Sequence, residues 1–452
     1  MTRLRTAALA AALGLAVALP AGPAAGSDHA DPTDPLRVRD DDDRGLTGLF
    51  AFPVTADGKR VDDPAKGDSL VLVVCLNRLL AKPPPYPGLD TFTITIAVDG
   101  RSPVRVAYPK DRTRPTPEER NTLRYGGVVE SPERIGATFE VAVRLKNDLA
   151  AGVVSENITH RTVRADRGDG LKDLDEDAAR RAVTRWGAGV RDDPFIFPPF
   201  FGTNVFAVVL RVPYASIPQS SPGRTYLMWA TTHQKGAQTD HVGRSQRTQL
   251  PRFDLLNTLH PSKHVEAIKD ARANPSLKDN LLRYAFPPLF AYRSFDEQPD
   301  VMVMSREHPA GFPNGRRLED DVALLTCEQG DCQLYEMSFA KPGSPASEKD
   351  SKYVGGRPTA NDKEFLPEWP YLAEPWPDPH VTPPPGLTPL NQMKFAGLVL
   401  GVAVAFLLPW GLLFWTYRRL RRVRGLLPTP GLPPAPPPPP AVVVPPAGGS
   451  PS

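Results

Sequence analysis

Apolar positions recur along this chain in two rhythms. Between Thr91 and Val98, Phe92, Ile94, Ile96 and Val98 fall on one face, the two-residue period of a half-buried strand. Ser69 to Leu80 is instead an unbroken apolar run rich in Val and Leu, which reads as a buried strand. Val104 to Tyr108, Thr138 to Leu145, Asn204 to Val212, Arg224 to Thr231, Val301 to Met304 and Gln333 to Ser338 read as further strands. Helical pattern is confined to two stretches. Asp175 to Trp186 has acids first and arginines later, as the helix dipole favours. Lys263 to Tyr284 is the other, broken near Pro275. No fixed period repeats. The pattern predicts a mostly β domain, β-sandwich-like with helical insertions. A β-propeller-like fold is the alternative.

Two longer apolar stretches mark the ends. Met-Thr-Arg-Leu-Arg precedes Ala7 to Leu19, and small residues follow from Ala21 to Gly26. A basic start, a short apolar middle and a small-residue exit predict a signal peptide over residues 1–26, with Ser27 as the mature start. The competing reading, an uncleaved anchor, needs a run of about 20 apolar residues. Phe395 to Tyr417 carries no charge and, at about 1.5 Å per residue, extends roughly 34 Å as a helix. It is predicted to be a transmembrane helix. Pro409 would be a tolerated kink, and Trp410, Trp415 and Tyr417 would sit at the headgroup layer. Arg418, Arg419, Arg421, Arg422 and Arg424 would form the cytoplasmic stop. The expected organisation is an exported domain over 27–366, a proline-rich stalk over 367–394, the helix over 395–417 and a cytoplasmic tail over 418–452. That makes a single-pass protein of the cell membrane with its N-terminal domain extracytoplasmic.

Composition adds a few constraints. The hydrophobic fraction of 40% supports a packed core, and a net charge of +3 gives no reason to expect nucleic acid as a partner. The 54 prolines shorten helices and favour strands joined by structured loops, although part of the excess lies in the stalk and tail. From Leu426 the tail is nearly all Pro, Ala, Val and Gly, an extended polyproline-like coil. It reads either as a solvated tail or as a docking peptide for a cytoplasmic partner. Three cysteines exclude a disulfide-built scaffold. Cys327 and Cys332 bracket Glu-Gln-Gly-Asp and could close a small disulfide loop between two strand candidates, while Cys75 falls mid-strand as a buried thiol.

Strong catalytic signatures are missing: there is no His-Glu-x-x-His, Gly-x-Ser-x-Gly, phosphate loop or dinucleotide fingerprint. His260 and His264 could share a helical face, but Pro261 lies between them, and a solvated helix start is the plainer reading. Acidic clusters say more. Asp28, His29 and Asp31 sit at the mature start, and Asp40 to Asp43 form a run. Asp192 and Asp193 precede Pro194 and several aromatics, while Asp320 and Asp321 follow Gly315-Arg316-Arg317. Carboxylates beside apolar sequence need compensation. One reading makes His29, Asp192, Asp193, Asp320 and Asp321 a metal set for calcium or another divalent cation. The other pairs the aspartates with Arg191, Arg316 and Arg317 and with helix caps, because no loop has the full calcium spacing. The acid-rich stretch Asp166 to Asp177 lacks it too.

Several of these segments, in order, resemble a bacterial family known only as domain of unknown function 4331. Ser27-Asp28-His29-Ala30-Asp31-Pro32 is similar to its Ser-His-Arg-Glu-Ala-Pro opening, and Leu46 to Phe52 to its Ile-Thr-Asp-Leu-Tyr-Ala-Phe strand. Arg191-Asp192-Asp193-Pro194-Phe195, within Trp186 to Phe197, resembles its Gly-x-Arg-Asp-Asp-Pro-Phe-Phe-Phe motif, and Asn204 to Pro213 the strand after it. Asp240-His241-Val242-Gly243-Arg244 is similar to its Asp-Arg-x-Gly-Arg-Pro, and Phe312-Pro313-Asn314-Gly315-Arg316-Arg317-Leu318-x-Asp320-Asp321, the closest match, to its Pro-Asn-Gly-Arg-Arg-Leu-x-Asp-Asp. The resemblance covers roughly residues 27–326. Gly48 stands for an acid, which weakens any cation site on that strand; His241 stands for an Arg and Ser245 for a Pro. The resemblance implies an architecture and a location without a reaction.

Three functions follow, in order. The first is a membrane-anchored extracytoplasmic module for binding or structure, non-catalytic, with a cation as candidate stabiliser of the fold. The second is an exported metal-assisted enzyme, hydrolase-like, which needs His29 and the two aspartate pairs to converge. The third is a transmembrane sensor signalling through the proline-rich tail.

Overall fold

The computed structural model describes residues 45–77, 84–86, 88–111, 113–197, 200–219, 224–245, 251–285, 287–329, 358–377 and 389–424. Among them are thirteen strands: β1 (Leu46–Val54), β2 (Ser69–Leu76), β3 (Thr93–Asp99), β4 (Val104–Arg105), β5 (Val128–Val129), β6 (Phe139–Leu145), β7 (Ile158–Asp166), β8 (Leu171–Asp173), β9 (Arg185–Asp192), β10 (Asn204–Pro213), β11 (Thr225–Gln234), β12 (Ala237–Val242) and β13 (Met302–Ser305). An antiparallel sheet of four has the order β1-β2-β10-β9. A sheet of seven has the order β12-β11-β3-β6-β7-β8, with β13 also on β11, and β4-β5 form a small ribbon.

The unbroken apolar runs of β2 and β10 follow from their position at the centre of the small sheet. Leu70, Leu72, Val74 and Leu76 of β2, with Phe206, Val208, Leu210 and Val212 of β10, face the large sheet and share one core with Ile94, Ile96, Val98, Phe139, Val141 and Val143. Their other face buries Val71, Val73, Cys75, Val205, Ala207 and Val209 in a second core with Phe50 and Phe52 of β1. Strands apolar on both faces have neighbours on both. Tyr371 and Leu372 complete the second core, so the segment read as the start of a proline-rich stalk is buried over residues 371–373. Two sheets sharing one core make a sandwich, and neither a closed barrel nor a propeller appears among the described residues.

Some elements differ from expectation. Val104 to Tyr108 gives only the two-residue β4. The helix expected over Asp175 to Trp186 is Glu176–Ala182, capped by Asp175, and Arg185 and Trp186 already pair with Arg211 and Leu210 as β9. Lys263 to Tyr284 does break, into helices His264–Ala273 and Leu277–Ala285. Cys327 lies in the helix Val322–Glu328 and is disulfide-bonded. The proposed partner Cys332, the expected strand Gln333 to Ser338, residues 1–26 and the tail beyond 424 lie outside the described residues.

The chain divides into two compact units, Met1–Phe395 and Ala396–Ser452. The C-terminal segment is helical over Pro389–Arg424, 36 residues with Pro409 inside. Among the described residues, however, no helix is long and apolar enough to cross a membrane. The helix gains length from a polar start at Asn391, Gln392 and Lys394 and from the arginines at its end. There the aromatic and basic residues pair one turn apart: Arg418 over Phe414 at 5.2 Å, Arg419 over Trp415 at 5.4 Å and Arg421 over Tyr417 at 5.6 Å. The transmembrane helix expected over 395–417 is corrected on this finding, and the single-pass membrane localisation built on it is corrected as well.

Candidate functional site

The two aspartate pairs lie on segments that meet. Arg191 and Asp192 close β9, where Asp192 pairs with Asn204 of β10. Asp193 turns the chain off the sheet: its N–H donates to Thr203 O at 3.1 Å and its Oδ1 accepts from Phe195 N–H at 3.1 Å. The turn sends Phe195, Phe197 and Phe200 inward, with successive ring centroids 5.0 Å apart. These rings pack on Val322 and Ala323, the residues that follow Asp320 and Asp321.

The Asn314-Gly315-Arg316 segment docks on β1. Ala51 and Arg316 exchange backbone hydrogen bonds of 2.9 Å. Gly315 has φ +73°, and a Cβ there would stand 2.6 Å from Ala51 O, so only glycine fits. Asn314 is buried and its amide bonds Ser305 N–H and O and the carbonyls of His308 and Pro309. Arg316 is 0% exposed. Its guanidinium lies 4.0 Å over the Phe50 ring and 5.6 Å from that of Phe195, so one planar cation ties the second motif to β1 and to the first.

The carboxylates bond mainly within the chain. Asp320 Oδ2 accepts from the Phe312 and Arg317 N–H groups, both at 2.7 Å, and its Oδ1 lies 3.2 Å from Arg317 Nε. Arg317 also reaches Asp62 at 2.8 Å. Asp321 caps the helix Val322–Glu328, accepting from Leu324 N–H at 3.1 Å. Arg191 pairs with Glu374 at 2.6 Å. His29 lies outside the described residues, and among those described no group of three or more His, Cys, Asp or Glu is placed to hold a metal ion. His260 and His264 diverge: His260 caps the turn Pro261–Lys263, and His264 is buried. Asp321→Ala should therefore lose about 1 kcal/mol, the value of a helix cap. Asp320→Ala removes an acceptor of two backbone bonds and one guanidinium bond and should lose about 2–3 kcal/mol. Thermal denaturation of both variants checks the order, and a larger loss at Asp321 contradicts it.

Asp192 has partners that sequence reasoning missed. Its Oδ1 accepts from Trp376 Nε1 and its Oδ2 from Asn361 Nδ2, each at 2.6 Å. Asn204 locks the same segment, a strap over residues 361–376, through two bonds to the Trp376 backbone, 2.8 and 2.9 Å long. Lys363 donates to the carbonyls of Glu374 and Pro375 and stands 4.5 Å over the Trp376 ring. Asp362, held by the Gly202 N–H, brings a second carboxylate to Asp192. Burial first, and then the Asp362 charge, push Asp192 up to about 7, against the bonds from Asn361 and Trp376. Burial also pushes Asp362 up, with the Asp193 charge adding to it. The signal available in the sequence was aromatic: Trp369, Tyr371 and Trp376 are unusual in a plain spacer.

No protein-family model matches this sequence, and no curated relative does. A crystal structure of a candidate carbohydrate-binding protein from Bacteroides uniformis ATCC 8492 is similar over 42% of this chain and 73% of that one, at 10% identity and a TM-score of 0.18.

Proposed function

We propose that this chain is a non-catalytic binding or structural module whose two acidic motifs act as internal fasteners. The observation that carries the reading is the meeting of both motifs around buried Arg316 and the Phe195–Phe197–Phe200 cluster, with Asp320 and Asp321 bonded to their own backbone. A metal-assisted hydrolase needs carboxylate oxygens aimed at a cation or substrate; here N–H groups of the same chain occupy them. The same meeting supports membership in the domain of unknown function 4331 family, which is part of the proposal, because its two longest motif matches become neighbours in space. Metal analysis and calorimetry of the purified chain test the reading. Chelator should leave the melting temperature unchanged, and no stoichiometric divalent metal should be found. A chelator-induced drop that calcium restores would reverse the proposal in favour of a cation-dependent site.

A further inference from the structure

Away from the aspartate motifs, three titratable side chains with no solvent exposure meet between β12, the helix His264–Ala273 and the turn before β13. His241, His264 and Asp300 are each 0% exposed. His241 Nε2 lies 2.7 Å from the Asp300 carbonyl and 3.4 Å from its carboxylate. A carbonyl only accepts, so Nε2 carries a proton. The His241 and His264 rings meet edge to face, 4.8 Å apart. His264 Nδ1 accepts from the Asp300 N–H at 3.1 Å, and its Nε2 bonds Leu259 O at 2.9 Å. That pair of partners fixes His264 as the neutral, Nε2-protonated tautomer. A further proton would have to enter at Nδ1, against an N–H donor.

The surroundings leave little room for a second charge. Asp300 Oδ1 already accepts the Arg244 N–H at 2.8 Å. The Arg244 guanidinium bonds Pro299 O at 2.8 Å and Tyr125 O at 3.3 Å and adds positive charge to the same turn. Asp240 is bonded to the Leu46 N–H at 2.7 Å and to its neighbour's N–H at 2.8 Å. On the outer side His260 is pushed down by burial and then by His241, with Asp99 opposing. Asp99 itself is bonded to the Arg101 and Ser102 N–H groups. The backbone is equally tight: a Cβ at Gly243 would stand 2.3 Å from Asp300 O.

We propose that His241, Asp300 and His264 form an acid-operated latch, holding the helical segment between Pro251 and Asp300 to the β11–β12 edge while His264 is neutral and releasing it when His264 takes up a proton. Protonation breaks the Asp300 N–H···Nδ1 bond and sets a charge on a ring with no solvent exposure. A charge buried beside a ring whose Nε2–H already faces the Asp300 carboxylate at 3.4 Å is disfavoured. The sign follows from linkage. The latched chain excludes a proton that an unfolded histidine binds below about 6.5, so latching is complete above that pH and is lost as pH falls. The alkaline side is mild, because neutral His241 still donates to the Asp300 carbonyl.

Hydrogen–deuterium exchange of the purified chain tests this, with rates corrected for the intrinsic pH dependence of exchange. Peptides from 251–300 should exchange at least about tenfold faster at pH 5 than at pH 7.5, reversibly, while β1 and β2 peptides stay protected. His264→Asn keeps an acceptor for the Asp300 N–H without taking up a proton and should abolish the acid response. His241→Gln keeps a donor for the Asp300 carbonyl without a charge and should move the response to lower pH. Exchange in 251–300 that is independent of pH in the wild type overturns the latch. So does an acid response shared with β1 and β2, or one that survives unchanged in whichever variant folds.

Discussion

Arg316→Ala is expected to destabilise the chain by about 3–5 kcal/mol, the range for truncating a large, fully buried side chain. The side chain is 0% exposed, so its loss leaves a cavity between Phe50 and Phe195 and removes the cation–π contacts with both rings. Arg316→Lys should recover little, because an ammonium cannot lie flat against two rings. Arg317→Ala is the control. Its side chain is 39% exposed and its partner Asp62 is 84% exposed, so the loss should stay near or below about 1 kcal/mol. Asp320 keeps its two backbone bonds in that variant. The measurement is denaturant or thermal unfolding of the three variants. Equal losses at Arg316 and Arg317, or none at Arg316, would show that the buried guanidinium does not join the motifs.

Parts of this arrangement are readable in the sequence for physical reasons. β2, β3 and β10 announce themselves because burial on one or both faces leaves a period of two or an unbroken apolar run. β7 does not. Its inward positions include Arg161, whose guanidinium stacks 3.6 Å over Trp186, so only Val163 and Ala165 are left to mark the buried face. The helix read through Trp186 was carried too far by its charge order, which describes Glu176–Ala182 well; pairing with β10 then claims the following residues. The acidic pairs were visible as pairs, and the arginine and capping partners of Asp320 and Asp321 were within reach of local reasoning. Those of Asp192 were not, since Asn361 and Trp376 lie 169 and 184 residues away. Their segment was hidden by proline content that suggests a spacer, although Tyr371 and Leu372 are buried. The apolar run at 395–417 correctly indicated a helix, but run length alone overstated it as a membrane span.

Raising the pH should loosen the strap that Asp192 and Asp362 share. Asp192 titrates near 7 in the folded chain instead of at its ordinary 3.8, so between those values the folded chain holds a proton that the unfolded chain has released. The contribution is therefore present in full at low pH and disappears as pH rises through about 7. Taken across the whole window it amounts to at most about 4 kcal/mol, and it belongs to the carboxyl pair rather than to either residue. Asp362→Asn removes the facing charge while an amide oxygen can still accept the Gly202 N–H. It should stabilise the chain at pH 8 by about 1–2 kcal/mol and flatten the dependence between pH 5 and 8. Asp192→Ala should destabilise at every pH, because it orphans the Trp376 and Asn361 donors. Melting curves of wild type and Asp362→Asn across this range provide the check. The difference between the two isolates the pair, since the opposite response expected from His264 is common to both. A wild-type curve parallel to that of Asp362→Asn would mean that the two carboxyls do not share the proton that keeps the strap in place.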